Sequence, residues 1–542
     1  MELGAIEQVF RSALLEMGAP ESTPLKFERP QNEAHGDLAT NVAMMLAKTL
    51  GKPPRKIAEE LISRVQKGGL KIEIAGPGFI NLTFQPSFFT KGLAAILQAG
   101  AEFGHVTSNK GKSINLEWVS ANPTGNLHAG HGRQVCLGQA IGNLLDWTGA
   151  TVTREYYFNN AGNQMANLAK SVRVRYLQQL GDELELPEDG YHGQEIVDIA
   201  KKIVEQFGDA KRNAEPSFFQ SFGEQENFQS IKSTLDRLGV HHDIFFNEYS
   251  LYESGAVKAT IEEFKARGLA YEKDGALWLK LSEMGEKEDR VIVKSSGEPT
   301  YRLPDICYHR NKLSRGYDEL IDIFGADHIA TIPDVLAALR ALGYDTSKIQ
   351  VVIHQMVSFV SGGELIKFSK RSGGAYTLEE LLDDVGTDAA KFFFNMRSAG
   401  SHLEFDVELA KEQSDKNPVY YVQYAHARIA SILRFAVQQG LQIEETKSVS
   451  LDLLTHEEEQ RLIKVLLRFP EVIERSAASF SPHHVCEYLR EIAAQFHKFY
   501  ADCRIVGGPK ELELPRLALA IATKRTIANG CSILGVAAPE SM

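Results

Sequence analysis

Residues 113–158 read SINLEWVSANPTGNLHAGHGRQVCLGQAIGNLLDWTGATVTREYYF, and they decide the fold. SINLEWVS has the β-rich alternation of a strand. After the loop ANPTGNLHAG, Val135, Leu137, Ile141, Leu144 and Leu145 recur at helical spacing, Gly149 is a C-terminal stop, and TVTREYYF is a second strand. Strand, glycine-rich loop, helix and strand in so short a span make a βαβ unit, which implies a parallel sheet with a right-handed crossover. Ligands of such sheets bind at the carboxyl ends of strands, where this loop must lie.

The loop has its own chemistry. Backbone N–H groups at the start of the helix after His131 have no helical partner and form an anion site. Gly125, Gly130 and Gly132 let a ligand approach the backbone closely. His128 and His131, three residues apart, can face one ligand and donate to phosphate oxygens. No carboxylate or third ligand stands nearby in sequence, so a nucleotide phosphate fits better than a metal. Taken alone, His128-Ala129-Gly130-His131 reads equally well as a capping loop with surface histidines.

A second element adds weight. SGGELIKFSKRSGG, residues 361–374, groups Lys367, Lys370 and Arg371 around Ser369 between paired glycines. Clustered cations on such a loop suit an anion of several charges and could follow it as it departs. By itself the run would read as a solvated basic turn.

Outward from this centre, residues 1 to about 105 read as a small α+β module. Helical patterns cover Ile6 to Met17, Leu38 to Leu50 and KIAEELISRV, strands lie in IEIAGPGFINLTF, and GHVTSNKGK is the linker. Residues from about 165 to 290 are polar and mostly helical and interrupt the sheet. Strand signals resume at ALWLKL, RVIVKSS, ELIDIFGA and IQVVIHQMVSFV, which are expected to complete it. From Thr387 onward nothing strand-like persists, and VYYVQYAHARIASILRFAV, EEEQRLIKVLLRFPEVIERSA, PHHVCEYLREIAAQFHKFYADCR and PRLALAIATKRTIANGCSILG imply a helical bundle. The expected division is 1–108, 109–386 with its insertion near 165–290, and 387–542.

Composition bounds the rest. A chain of 542 residues should divide into several domains, and 43% hydrophobic with 24% charged residues is ordinary for globular protein. No stretch approaches the roughly 20 apolar residues of a spanning helix. The first residues lack a basic segment followed by an apolar run, so a cytoplasmic, membrane-free protein is expected. The five cysteines are scattered, without metal-binding spacing, so reduced thiols and no structural metal are expected. A net charge of −12 disfavours a general nucleic-acid coat but permits a local basic strip.

Together these residues carry a resemblance. His128-Ala129-Gly130-His131 resembles the HIGH signature, and Lys367-Phe368-Ser369-Lys370-Arg371 the KMSKS signature, of class I aminoacyl-tRNA synthetases. EWVSANPTGNLHAGHGRQ, TREYYFNNAGNQ, KFSKRSGGAYTLEELLDDVGTDAAKFFFNMRSAGSHLEFD, NPVYYVQYAHARI, RPQNEAHGDLATNVAMMLAK and ANGCSILGVAAPESM are similar to arginyl-tRNA synthetases of the bacterial kind. The resemblance runs nearly end to end. It implies an α/β, Rossmann-type catalytic domain with insertions, an N-terminal tRNA-contacting module and an all-α C-terminal anticodon-binding bundle.

The implied reaction is activation of arginine by ATP to arginyl-adenylate and pyrophosphate, then transfer to tRNA(Arg) with release of AMP. In it His128, His131, Lys367 and Lys370 are catalytic, and Gly130, Gly132, Ser369, Asp327 and His328 serve ATP. Glu117, Asn122, Tyr301 and Asp305 hold arginine, since a guanidinium wants planar acceptors. Phe79, Asn81, Tyr420, Tyr424 and Arg428 are expected to meet tRNA. Arg461, Lys464 and Arg468 line a further helix of the bundle. Magnesium would arrive with ATP rather than in a protein cage, and a monomer is the family expectation. Departures from the pattern are Ala129 in the first signature, Phe368 and Arg371 in the second, Ala330 and Thr331 after Gly-Ala-Asp-His, and Pro304 beside Asp305. The rival readings are an HxGH nucleotidyl transferase that acts without tRNA and a catalytically silent RNA-binding relative.

Overall fold

A computed structural model describes residues 3–30, 32–65, 70–366 and 376–542. The chain forms two compact units. One comprises Glu102–Ala430, Phe469–Ala493 and Thr526–Met542; the other comprises Met1–Ala101, Ser431–Arg468 and Ala494–Arg525.

The first unit is built on a five-stranded, wholly parallel sheet. Across it the strands run Ile349–His354, Glu319–Gly325, Ser113–Glu117, Thr151–Phe158 and Ile244–Asn247. The chain thus starts in the middle and winds outward both ways. Its order reverses between Ser113–Glu117 and Glu319–Gly325, where a crevice opens at the carboxyl ends. From Ile114 to Glu117 the central strand is buried without alternation, as a strand covered on both faces must be. The helix His131–Trp147 follows the loop and is buried along most of its length. Two of its glycines are there for packing. A Cβ on Gly138 would lie 2.2 Å from Trp118 Cγ, and one on Gly132 would lie 2.5 Å from Phe394 Cε2.

Several expectations about strands are corrected. Ile244–Asn247 belongs to the central sheet although it lies within the span read as helical insertion. It is a short, half-buried edge strand, too brief for periodicity to register. Ala276–Leu279 and Arg290–Val293 do not complete the central sheet but pair antiparallel in a separate three-stranded sheet with Ala270–Lys273. Alternate burial along Ala276–Leu279 is the pattern of an antiparallel strand with one solvated face. MVSFV likewise leaves the central sheet: Val357–Ser361 pairs with Leu403–Asp406, a strand beyond Thr387 where none was expected. The helices Gly162–Gln179, Gln194–Phe207 and Pro216–Arg237 form the insertion, with Met165, Leu168, Ile199 and Phe219 in its core.

In the second unit an antiparallel sheet runs Leu38–Thr40, Phe79–Phe84, Leu70–Ala75. Ile6, Phe10, Leu14, Val42, Ile57, Leu61, Ile80 and Leu82 make its core. The single helix expected over Leu38–Leu50 is instead a strand followed by short helices Val42–Met45 and Ala47–Leu50. Leu38 and Thr40 pair with Leu82 and Ile80, so tertiary pairing overrides the local pattern. The stretch EEEQRLIKVLLRFPEVIERSA is also two helices, Glu457–Leu466 and Phe469–Ala478, broken just before Pro470, which is tolerated only in a helix's first turn.

Candidate active site

The site grows from a strained strand exit. After Glu117 the chain passes through Val119 at φ 75° and Ser120 at φ 48°. A β-branched residue with positive φ is costly and persists only where its surroundings fix it. Here the turn aims Ser120 Oγ at Glu117 Oε1, to which it donates at 3.0 Å. The rest of the loop is tied to the next strand. Tyr156 Oη donates to Ala121 O at 2.8 Å, Asn159 N donates to Asn122 Oδ1 at 2.9 Å, and Asn122 Nδ2 donates to Gln164 Oε1 at 2.8 Å.

Beside this loop lies an acidic pocket. Glu248 follows the edge strand Ile244–Asn247 and accepts from Tyr157 Oη at 2.5 Å and from Asn159 Nδ2 at 2.8 Å. Asp305 lies on the helix Arg302–Ser314, and among the described residues no hydrogen bond or ion pair reaches its carboxylate. Burial pushes Asp305 up to about 7; His309 works against this, while the charges of Glu248 and Glu117 add to it. Burial likewise raises Glu248. A carboxylate held half-protonated near neutrality by burial, among like charges, is poised to receive a cation.

Glu117 is differently placed. Its Oε2 accepts from Lys312 Nζ at 2.7 Å, and Lys312 also pairs with Asp322 on the neighbouring strand. His309 Nε2 lies 3.0 Å from Asp322 Oδ2, while its Nδ1 is 2.8 Å from Asp305 O. One ammonium cannot neutralise both carboxylates. Burial opposes ionisation of Asp322, yet Lys312 and His309 outweigh it and hold that carboxyl well below its usual range; burial then leaves Glu117 raised.

The histidines stand at the sheet's switch point. His131 opens the helix and His128 precedes it, with ring centroids 3.6 Å apart. His131 Nδ1 accepts from His128 N at 3.1 Å, which leaves its Nε2 as the donor of a neutral ring. Burial, then the neighbouring His128 and His354, push His131 down to about 3, and burial lowers His128 and His354 as well. These rings offer hydrogen bonds at neutral pH rather than charge. Gly130 sits at the helix start, whereas Gly132 is turned into the packing against Phe394 and Leu378 instead of opening a path for a ligand. Asp327 and His328 follow the Glu319–Gly325 strand at the same edge and remain exposed, 3.6 Å apart.

Lys367, Ser369 and Lys370 lie outside the described residues, so only their flanks can be placed. Ile366 N donates to Phe359 O, which fixes the approach. On the far side Ala129 N donates to Tyr376 O at 2.8 Å and Leu378 N to Leu127 O at 2.7 Å. Tyr376 and Leu378, just past the cationic segment in sequence, are thus bonded to Ala129 and Leu127.

Not every expected residue joins the site. Tyr301 stands at the start of its helix, one turn before Asp305, with its ring 83% exposed. On the helix Pro418–Gln438, Tyr420, Tyr424 and Arg428 share one face at intervals of one turn, with Tyr424 and Arg428 exposed and the tyrosine rings parallel. Gln423 and His426 turn inward, to Asp388 and Pro539. In the other unit, Phe79 and Asn81 lie on the solvent face of their strand, opposite buried Ile80 and Leu82. The cations Arg461 and Lys464 are spent on ion pairs with Glu457, Glu458 and Asp37. Glu248, Tyr157, Asn159 and Ser120 were not singled out by sequence. The signal that could have found Glu248 is its place at the carboxyl end of a sheet strand, and that strand itself was not read.

The family model described as "Arginyl tRNA synthetase N terminal domain" matches residues 4–84, "tRNA synthetases class I (R), catalytic domain" matches 92–399, and "DALR anticodon binding domain" matches 422–542. The arginine–tRNA ligase of Carboxydothermus hydrogenoformans is 45% identical over 99% of this chain and 98% of its own. That of Salinibacter ruber is 46% identical over 96% and 97%. The solved Thermus thermophilus arginyl-tRNA synthetase shares the fold, with a TM-score of 0.77 at 22% identity over the whole of both chains. A class I catalytic match over most of the parallel-sheet unit, together with relatives aligned end to end, places the chain in the arginyl-tRNA synthetase family.

Proposed function

We propose that this chain joins arginine to tRNA(Arg) at the expense of ATP, through an arginyl-adenylate, with release of pyrophosphate and then AMP. The observation that carries the reading is that two sites lie at the carboxyl ends of strands of one parallel sheet. One is a helix N-terminus with neutral His128 and His131, and the other is the carboxylate cluster of Asp305, Glu248 and Glu117.

In this reading the guanidinium lies against Asp305 and Glu248, with Tyr301 folding over it, while Asn122 and Glu117 border the α-amino end. The arginine carboxylate attacks the α-phosphate in line, so no enzyme nucleophile is needed, and catalysis is positioning and charge stabilisation. His128 and His131 donate to phosphate oxygens from neutral rings. Gly130 keeps the helix start open to the nucleotide, with Asp327 and His328 at the adenosine edge. Lys367, Ser369 and Lys370 receive the departing pyrophosphate. Asp327 is one carboxylate among histidines, a donor set that fits a magnesium ion held chiefly by phosphate oxygens and water. When bound, that ion would offset charge on the leaving group.

Phe79 and Asn81 in one unit, and Tyr420, Tyr424 and Arg428 in the other, are proposed to contact tRNA. The proposed division is 1–108, 109–386 with its insertion near 165–290, and 387–542; three family matches in the same order, over 4–84, 92–399 and 422–542, support the three parts, though not these bounds. No helix among the described residues is long and apolar enough to cross a membrane. A monomer working in the cytoplasm fits the reading. Arginine-dependent ATP–pyrophosphate exchange, measured with and without tRNA, tests it: exchange in at least one condition is expected, and none in either overturns it.

A further inference from the structure

Asn122 and Glu248 are both referenced to one residue between them. Asn159 follows the strand Thr151–Phe158. Its backbone N–H donates to Asn122 Oδ1 at 2.9 Å, its Nδ2 donates to Glu248 Oε1 at 2.8 Å, and its Oδ1 accepts from Ala161 N at 2.8 Å. The side-chain amide fits only one way round. Flipped, it would set an oxygen against the Glu248 carboxylate and an NH2 against the Ala161 N–H. Among the described residues no other group bonds both Asn122 and Glu248.

Glu248 is held more firmly than the carboxylate opposite. Its N donates to Phe158 O at 2.9 Å, so its backbone as well as its side chain is tied to the end of that strand. The Tyr157 hydroxyl bonds its second carboxylate oxygen, and bonds neither Asn122 nor Glu117. Asp305 comes from the helix Arg302–Ser314 and has no such tether. Asn122 is fixed in turn by donating from Nδ2 to Gln164 Oε1 at 2.8 Å. Two well-anchored groups thus face the pocket at a separation set by a single residue, and the Oδ1 bond to Ala161 closes a local turn that keeps that residue's side chain in place.

The geometry points to Asn159 as a positioning residue for substrate selection: it fixes the span from Asn122 to Glu248 and so favours an amino acid whose guanidinium stands one arginine side chain away from its α-amino group. This rests on the orientation of arginine proposed above, with Asn122 at the α-amino end and Glu248 at the guanidinium. Asn159 itself touches no reacting atom in that orientation. Its effect is on length, which neither carboxylate alone can measure.

The test is ATP–pyrophosphate exchange with tRNA present, comparing kcat/KM for arginine with kcat/KM for homoarginine, which is one methylene longer. A fitted pocket discriminates one methylene by about 10–200-fold. Asn159→Ser keeps the backbone donor to Asn122 and offers a hydroxyl to Ala161 N, and it loses only the reach to Glu248. It is expected to lower the preference for arginine by at least about tenfold. Both substrates carry the same α-amino group and guanidinium, so a general loss of affinity or of folded protein cancels in the ratio. Tyr157→Phe removes support from Glu248 without cutting the link to Asn122. It should raise the KM for arginine about tenfold while the ratio stays within about threefold of the parent. Should Asn159→Ser not fold, Asn122→Ala cuts the same link from its other end and is expected to lower the ratio as much. A ratio within about threefold of the parent in Asn159→Ser or in Asn122→Ala overturns the proposal, and so does an equal fall in Tyr157→Phe. If Glu248→Gln and Asp305→Asn both keep the parent kcat/KM for arginine, it is the placement of the guanidinium that fails, and the span with it.

Discussion

The Lys312 ammonium lies 2.7 Å from Glu117 Oε2 with both side chains closed to solvent, and Asp322 holds the same ammonium from the adjacent strand. Breaking such a buried arrangement by removing one partner costs about 3–5 kcal/mol, because the remaining charges are left unpaired. Lys312→Met is therefore expected to lower the unfolding midpoint of the parallel-sheet unit sharply. Adding Glu117→Gln and Asp322→Asn to the same variant should recover much of the loss. Denaturant unfolding followed by tryptophan fluorescence distinguishes the two, and equal stabilities would contradict the ion-pair account.

Arginine binding should depend on pH in a defined direction. Asp305 is raised from its ordinary 3.8 to about 7, by burial first and by Glu248 and Glu117 next. The free protein therefore holds a proton there that the unfolded chain would lose, so ionisation of Asp305 costs stability as pH rises from about 4 to 7. A bound guanidinium reverses the sign by favouring the carboxylate. Arginine affinity should then fall by up to about tenfold per pH unit below 7 and level off above it, with a proton released on binding. Calorimetry in two buffers of different ionisation enthalpy reads that proton directly. His309, which is raised as well and touches Asp305 O, is the other group that could release the proton, so Asp305→Asn is the control. An unaltered pH slope in that variant would assign the proton to His309.

Gly132→Ala is expected to damage the site through packing. The added methyl would meet Phe394 Cε2 at 2.5 Å and Leu378 Cδ1 at 2.8 Å, inside the hydrophobic wall beneath the His131 turn. Overpacking of this kind costs about 1–3 kcal/mol and shifts backbone. Thermal melting should fall and exchange activity should fall with it. Gly132→Ala combined with Phe394→Leu should restore part of both, an outcome that a role for Gly132 in nucleotide approach alone would not produce.

How far the sequence could be read depends on what each signal measures. The βαβ core from Ser113 to Phe158 was legible because a continuous buried strand, a glycine stop and a helical period all agree there. The acidic pocket was half legible. Asp305 and Glu117 could be named from the resemblance, but Glu248 could not, since it hangs on a four-residue edge strand whose pattern fits helix as well. Asp322 and Lys312 escaped for another reason: their importance comes from meeting across elements, and no local period records a tertiary ion pair. The same limit applies to Arg461 and Lys464, whose ion pairs with Glu457, Glu458 and Asp37 no pattern along their own helix records in full.

The exposed ring of Phe79 leads to the last prediction. On its strand, Ile80 and Leu82 go to the core while Phe79, 39% exposed, and Asn81 face outward. A large ring left half in water on a sheet face gains little for folding, so truncating it should barely move the unfolding midpoint. If the ring stacks on a splayed base, its loss should weaken tRNA binding by about 1–3 kcal/mol. The salt dependence should not change, because no phosphate contact is lost. Arg428→Ala should behave in the opposite way if Arg428 meets phosphate, with a salt slope shallower by about 1. Filter binding across a salt series separates the two variants. Since the Phe79→Ala defect would be one of affinity, saturating tRNA should bring aminoacylation back to the parent rate; a deficit that persists at saturation would mean that the ring acts on the chemistry or on folding instead.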